Sequence, residues 1–308
     1  MILVAGGTGT LGRHLIPLLT AHGDPVRILS RGSGPDTSTA VPGVEVVTGD
    51  VRDAASLDRA MAGVTTLVSA INGFAGRDAL GVRVIDRDGN AGLIDAAVRA
   101  GVGHVVLVSI QGASTDHPIE LFRMKAAAEA HLKASGLSWT IIGPTAYQET
   151  WLEIVGRPLV ATGKTRIFGR GQNPINFVSA MDVARIVVLA VFDPTLRGAT
   201  VDVSGPENLT FDAFVEVVRS ATGVTGTVAH APLPMLRVMS SLLRPFKPVL
   251  AGQMAAAIVM DTRDMTADTM DRARRFPAIA STPLIDVATR QLSVAVERPA
   301  LRPSSTAP

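Results

Sequence analysis

Seven residues near the amino terminus have the types and spacing to hold a phosphate. Gly6-Gly7-Thr8-Gly9-Thr10-Leu11-Gly12 follows the apolar run Met1–Ala5 directly and opens a segment of helical character, with glycines at Gly6-x-x-Gly9-x-x-Gly12. Glycine at these points permits a tight turn, lets a pyrophosphate come close to the backbone, and lets the helix pack closely on the strand. The phosphate would then meet free N–H groups at a helix N-terminus. Gly6, Thr8, Gly9, Thr10, Leu11 and Gly12 are accordingly the expected contacts of a dinucleotide. The overlapping spacing Gly7-x4-Gly12 fits a nucleoside-triphosphate loop, but Arg13-His14 stands where that loop requires Lys-Ser/Thr.

The second strand bears on which dinucleotide is meant. An NAD site places Asp or Glu about 20 residues further on, to accept hydrogen bonds from the ribose hydroxyls. Here Val26-Arg27-Ile28-Leu29 ends in Ser30-Arg31, with no acid. Arg13, just past the glycines, is expected near the same corner. Two guanidinium groups suit a ribose 2′-phosphate, which arginine takes through paired, charge-assisted bonds. The expected cofactor is therefore NADP(H). Ser69 and Ala70 at the end of the fourth strand, and Asn72-Gly73-Phe74 behind them, are expected to border it by position.

The elements that must hold these residues are short. Candidate strands run Met1–Ala5, Val26–Leu29, Val44–Val47, Thr66–Ser69, His104–Val108 and Trp139–Ile142. Their apolar runs are continuous rather than alternating, as in strands buried on both faces of a parallel sheet. Helices are expected over Asn90–Ala100, stopped by Gly101, and over Pro118–Ser135, stopped by Gly136. The fold class is α/β: a Rossmann-type doubly wound parallel sheet over residues 1–145, with a smaller C-terminal α+β substrate lobe over 146–297. In that lobe strand-like Thr165–Phe168, Asn176–Val178 and Thr200–Val203 interleave with helices near Ala180–Phe192 and Phe211–Thr222, and elements can cross between lobes. Ser179-x-x-Asp182, just ahead of an apolar helical run, reads as a helix N-cap with its partner. Residues 298–308 read as a disordered, Pro/Ser-rich tail. Pro17 falls inside the first helix, at an expected cost of about 3 kcal/mol unless packing compensates.

Composition narrows the function classes. Hydrophobic residues make up 47% of the 308 and charged residues 18%, enough apolar material for a sizeable core. Lys+Arg number 29 against 27 Asp+Glu with no run of like charge, which argues against nucleic acid as a partner. The chain has no cysteine, so disulfides and thiolate chemistry are excluded and a cytoplasmic setting is expected. The histidines, at 14, 22, 104, 117, 131 and 230, show no metal-ligand spacing, and no metal is expected. Met1 opens straight into the first strand, so no secretory signal is expected. No apolar stretch reaches the roughly 18–20 residues that span a bilayer. The greasiest, Leu233 to Met260, is interrupted by Arg237, Arg244 and Lys247 and reads as core or interface helices. The expected partner is a small-molecule substrate, with no membrane, handled by a monomer or homodimer.

Val4-Ala5-Gly6-Gly7-Thr8-Gly9 with Gly12-Arg13 resembles the atypical short-chain dehydrogenase/reductase superfamily, of the NmrA-like and isoflavone-reductase-like kind. Gly49-Asp50-Val51, Val108-Ser109-Ile110, Lys125-x3-Glu129, the run from Ser135 to Ile141, Asn173 to Val178 and Asp182-Val183-Ala184 agree with it in order, over roughly residues 1–220. The resemblance implies that Asp50 and Val51 lie against the adenine, that Ser109 stands at an active-site serine position, and that Lys125 holds the nicotinamide ribose. One feature departs: the superfamily uses Tyr-x-x-x-Lys, and Leu121 stands four residues before Lys125. Three proton sources stay open. Lys125 itself could serve, its pKa lowered in an apolar cleft. Tyr147, the only tyrosine, lies just past the sixth strand. Water could also serve, with the protein only orienting the rings. Ser109 either polarises a substrate carbonyl or satisfies a strand-end backbone group. The implied activity is hydride transfer from NADPH to a small apolar carbonyl compound or quinone; a non-catalytic NADP(H)-binding redox sensor is the alternative.

Overall fold

A computed structural model describes residues 1–32, 43–74 and 81–296; the tail expected over 298–308 lies outside the described residues. The strands are β1 (Ile2–Ala5), β2 (Val26–Ser30), β3 (Val44–Thr48), β4 (Thr66–Ser69), β5 (His104–Val108), β6 (Trp139–Pro144), β7 (Ala146–Tyr147), β8 (Lys164–Phe168), β9 (Ile175–Val178), β10 (Thr200–Val203), β11 (Glu207–Leu209) and β12 (Thr227–Ala231). Seven of them form one sheet in the order β10-β6-β5-β4-β1-β2-β3, every neighbouring pair parallel.

Alternation along each buried strand feeds two cores. Helices α1 (Gly12–Ala21), α2 (Ala54–Met61), α3 (Asn90–Ala100) and α4 (Glu120–Ala134) follow the early strands. Leu3, Leu67, Val105 and Ile141 meet α2, α3 and α4 on one face. Ile2, Val4, Val106 and Ile142 meet Leu15, Ile16 and Leu19 of α1 on the other. Pro17 lies inside α1 with its ring exposed, while those three buried side chains anchor the helix.

The remaining helices are α5 (Gln148–Trp151), α6 (Arg157–Thr162), α7 (Ala180–Phe192), α8 (Phe211–Thr222), α9 (Leu233–Leu243), α10 (Pro248–Thr262), α11 (Asp271–Arg275) and α12 (Leu284–Val296). Residues 180–203 return to the large sheet: α7 packs with α1, and β10 pairs with β6. Ser179 caps α7 as its spacing suggested, accepting from Met181 N–H. Asp182 has a different task, holding Thr282 and the buried Arg272. The lobe core gathers Leu152, Phe177, Phe211, Phe214 and Val287 with Ile119, Leu121 and Phe122 at the start of α4.

Candidate functional site

The chain passes from β3 at one edge of the sheet to β4 beside β1, so the connections leave the carboxyl ends of β1 and β4 in opposite directions. A crevice opens at such a switch point. A cavity of about 780 Å³ lies there, with the glycine loop in one wall and Trp151, Ala256, Met260 and Met265 of the lobe in another.

The glycine loop fits a pyrophosphate. Gly6 has φ +91°, and a Cβ there would stand 2.6 Å from Ala70 O. A Cβ on Gly12 would stand 2.2 Å from Gly7 O and push α1 off its strand. Gly12 itself lies outside the cavity lining and acts through this close packing. Gly9 N–H donates to Gly6 O (3.0 Å) and Arg13 N–H to Gly9 O (3.1 Å), which closes the turn. The amides of Thr10 and Leu11 take no backbone acceptor among the described residues, which leaves donors for an anion.

Of the other residues expected at the cofactor, Thr8, Ser30, Arg31, Val51 and Ala70 line the cavity, as do Asn72, Gly73 and Phe74. Three lie outside the lining. Arg13 is exposed on α1 outside the lining, where its charge acts on His14 and Glu153, so Arg31 is the guanidinium that borders the cavity. Asp50 is turned to Arg52, which donates to its two oxygens at 2.9 and 2.6 Å and holds its carboxyl down to about 2. Ser69 is buried outside the lining, its hydroxyl donating to Asn90 Oδ1 at 2.6 Å.

Lys125 reaches the cavity from α4 with only 2% of its surface exposed. Its Nζ donates to Ile71 O (2.9 Å) and Val108 O (3.1 Å) and lies 3.0 Å from Asp86 Oδ1. Two carbonyls thus take protons of the ammonium, and the Asp86 carboxylate balances its charge as a buried ion pair. Asp86 is fully buried; its Oδ2 accepts from Gly73 N–H (2.9 Å) and its carbonyl from Asn90 Nδ2 (2.7 Å). The wide π-helical turn Arg83–Gly89 carries Asp86 and runs into α3. Lys125 therefore ties the ends of β4 and β5 to the loop that walls the cavity.

Ser109 lines the cavity at the end of β5, and its hydroxyl donates to Glu129 Oε1 at 2.5 Å. Tyr147 lines the cavity and packs against the core shared by α1 and α7; burial, then the Glu149 charge, push its phenol up. On the lobe side His117 also lines the cavity, its ring stacked on Phe122 with centroids 3.9 Å apart. Ile119 N–H donates to His117 Nδ1 at 3.1 Å, so the neutral ring carries its proton on Nε2. Burial lowers the pKa of this ring below the ordinary 6.5, and Arg263 and Arg123 act in the same sense.

The model of a family described as NAD(P)H-binding matches residues 6–194. The chain belongs to this NAD(P)H-binding family. It is 28% identical over 223 residues to the NAD(P)H azoreductase of Xenophilus azovorans, covering 72% of this chain and 74% of that one. It is 33% identical over 212 residues to the (4-alkanoyl-5-oxo-2,5-dihydrofuran-3-yl)methyl phosphate reductase of Streptomyces griseus, covering 68% and 70%. The NADPH-dependent quinone oxidoreductase of Escherichia coli, solved with NADPH, superimposes with a TM-score of 0.74 at 19% identity, over 94% of this chain and 99% of that one.

Within this NAD(P)H-binding family member, the residues that sequence reasoning missed are Asp86, Glu129 as a partner of Ser109, and His117. Asp86 lies 39 positions before Lys125, on a turn with no motif of its own. His117 gave one local signal, the sequence His117-Pro118-Ile119 just ahead of a helix, but nothing in it points to a cavity.

Proposed function

We propose that this protein is an NADPH-dependent reductase of a small, largely apolar carbonyl compound or quinone. The observation that carries this reading is the cavity in which the phosphate-binding loop and an apolar lobe wall face Lys125, with Leu121 one turn before it. The named activities of the azoreductase and furanyl phosphate reductase relatives support reduction over a sensing role. When bound, NADPH supplies a hydride: a quinone, the hydride and one proton yield a hydroquinone and NADP⁺.

The chain's own residues would divide the work as follows. The amides of Thr10 and Leu11 hold the pyrophosphate. Arg31 takes the ribose 2′-phosphate and sets the preference for NADPH over NADH. Lys125, gripped by Asp86, positions the loop against which the nicotinamide half rests. His117 Nε2–H hydrogen-bonds to the acceptor oxygen as negative charge develops there, and the proton that completes the product comes from solvent. A neutral imidazole suits this role, since it donates a hydrogen bond without needing to be charged.

The direct test follows loss of the reduced-nicotinamide signal with a panel of quinones and aldehydes. Acceptor-dependent oxidation of NADPH supports the reading, and tight NADPH binding without turnover across the panel counts against it. In the same assay Arg31→Ala is expected to weaken NADPH roughly 10–150-fold, the loss of a charge-assisted contact of about 1.5–3 kcal/mol, while NADH binding barely moves. Equal losses for both cofactors would remove Arg31 from the 2′-phosphate.

A further inference from the structure

We propose that the α9–α10 hairpin docks this protein on an anionic lipid bilayer and that its acceptor is drawn from that bilayer. This departs from the expectation, drawn from the sequence, of no membrane partner. No helix among the described residues is long and apolar enough to cross a membrane, so the contact meant here lies in the plane of the interface. The second half of the statement rests on the reductase reading above; the first half does not.

The hairpin turns its apolar face outward. Met235, Val238, Met239 and Leu242 recur at i, i+3, i+4 and i+7 along α9, the spacing of one helical stripe. All four are exposed, Leu242 to 67%, and Phe246 in the connection to α10 is exposed to 82%. Leu250 at the start of α10 is exposed as well. A stripe of this kind normally faces a core, yet Leu236 is the one residue of α9 that is buried. Isolated surface apolar residues need no account, but a contiguous set of this size marks an interaction surface.

Charge names the occupant. Arg237 and Arg244, seven residues apart, lie on the face of α9 away from the stripe, and Lys247 follows in the turn to α10; all three are exposed, and no Asp or Glu occurs between Glu216 and Asp261. None of the three cations has an ion-pair partner among the described residues. An apolar stripe with cations and no acids on the polar side of the same hairpin matches a surface of anionic headgroups over acyl chains.

The base of the hairpin joins the reaction cavity. Ala256 and Met260 of α10 stand in the wall of the large cavity. Pro248, Val249, Gly252 and Gln253, one to three turns earlier, line a second cavity of about 260 Å³ that shares Phe74, Gly81, Ile119 and Leu121 with the first. Gln253 Nε2 donates to Phe74 O at 2.7 Å and fixes α10 against the cofactor-side loop. An acceptor dissolved in the bilayer would have an apolar course along α10 from the exposed tip to the site.

The test sediments the full chain with vesicles of phosphatidylcholine, with and without phosphatidylglycerol, in low and high salt. The expected result is at least tenfold greater binding to the anionic vesicles, reduced by salt, and lost in Leu242→Ser/Phe246→Ser while NADPH binding is kept. Arg237→Glu/Lys247→Glu should lose the anionic preference. Absence of vesicle binding by the folded, NADPH-binding protein would overturn the docking. So would a concentration-dependent dimer that Leu242→Ser/Phe246→Ser dissolves in the absence of vesicle binding, since the stripe would then face a second copy. Supply from the bilayer is read separately, with NADPH and a long-tailed quinone held in the vesicles against a water-soluble quinone. Leu242→Ser/Phe246→Ser should slow reduction of the first at least tenfold and leave the second unchanged. Equal rates with the embedded quinone would overturn the supply, whereas failure of both quinones alongside intact vesicle binding would count against the reductase reading alone.

Discussion

Lys125→Met is expected to lower the folding stability by about 3–5 kcal/mol, because it leaves the Asp86 carboxylate buried without its cation. The figure applies without a discount for solvent, since the lysine and aspartate side chains are 3% and 0% exposed. Two backbone carbonyls, Ile71 O and Val108 O, lose a donor in the same change. Urea unfolding of the two proteins measures the difference. A second substitution, Asp86→Asn, should restore part of the loss in the Lys125→Met background, because the amide oxygen can still accept from Gly73 N–H and no charge is left unpaired. A lysine that served chiefly as proton donor gives a different pattern. Turnover would collapse in Lys125→Met while stability and NADPH affinity stayed near those of the parent, and the positioning role of the Lys125–Asp86 pair would have to be abandoned.

His117→Phe is expected to lower kcat roughly 10²–10³-fold, the usual effect of removing one hydrogen-bond donor from a developing oxyanion. Phenylalanine keeps a ring to stack on Phe122 but cannot donate. His117→Gln, which keeps an N–H at similar reach, should recover much of the rate. Because burial lowers the pKa of the ring, it stays neutral through pH 7 to 8, and kcat should be level there, with any inflection from this group below 6.5. Tyr147 supplies the control. Its hydroxyl has no hydrogen-bond partner among the described residues, but it packs on the α1–α7 side, whereas His117 stacks on a residue of the lobe core. Tyr147→Phe should change kcat less than tenfold. If Tyr147→Phe is the variant that fails and His117→Phe turns over normally, the donor is the tyrosine.

Much of the fold was legible in the residues because it is written in local terms. The strands of the large sheet and the helices α1, α3, α4, α7 and α8 follow from runs of apolar residues and from stops such as Gly101 and Gly136. The glycine loop could be read for a steric reason: at Gly6 and Gly12 the structure leaves no room for a Cβ, so these positions announce themselves. The short β7 and β11 were not legible, since strands of two and three residues carry no period. The same holds for the π-helical turn at Arg83–Gly89.

By itself, then, the sequence determined a parallel sheet behind a dinucleotide loop, with a lysine helix following the fifth strand. Only the tertiary structure decided what the polar side chains do there. Lys125 and Asp86, Ser109 and Glu129, and His117 and Phe122 become partners through the packing of separate elements, and their pairing fixes which protons are free. It also decided the standing of α9. An apolar stripe reads the same in a sequence whether it is covered or bare, because burial depends on what packs against it, and here its face is left to solvent.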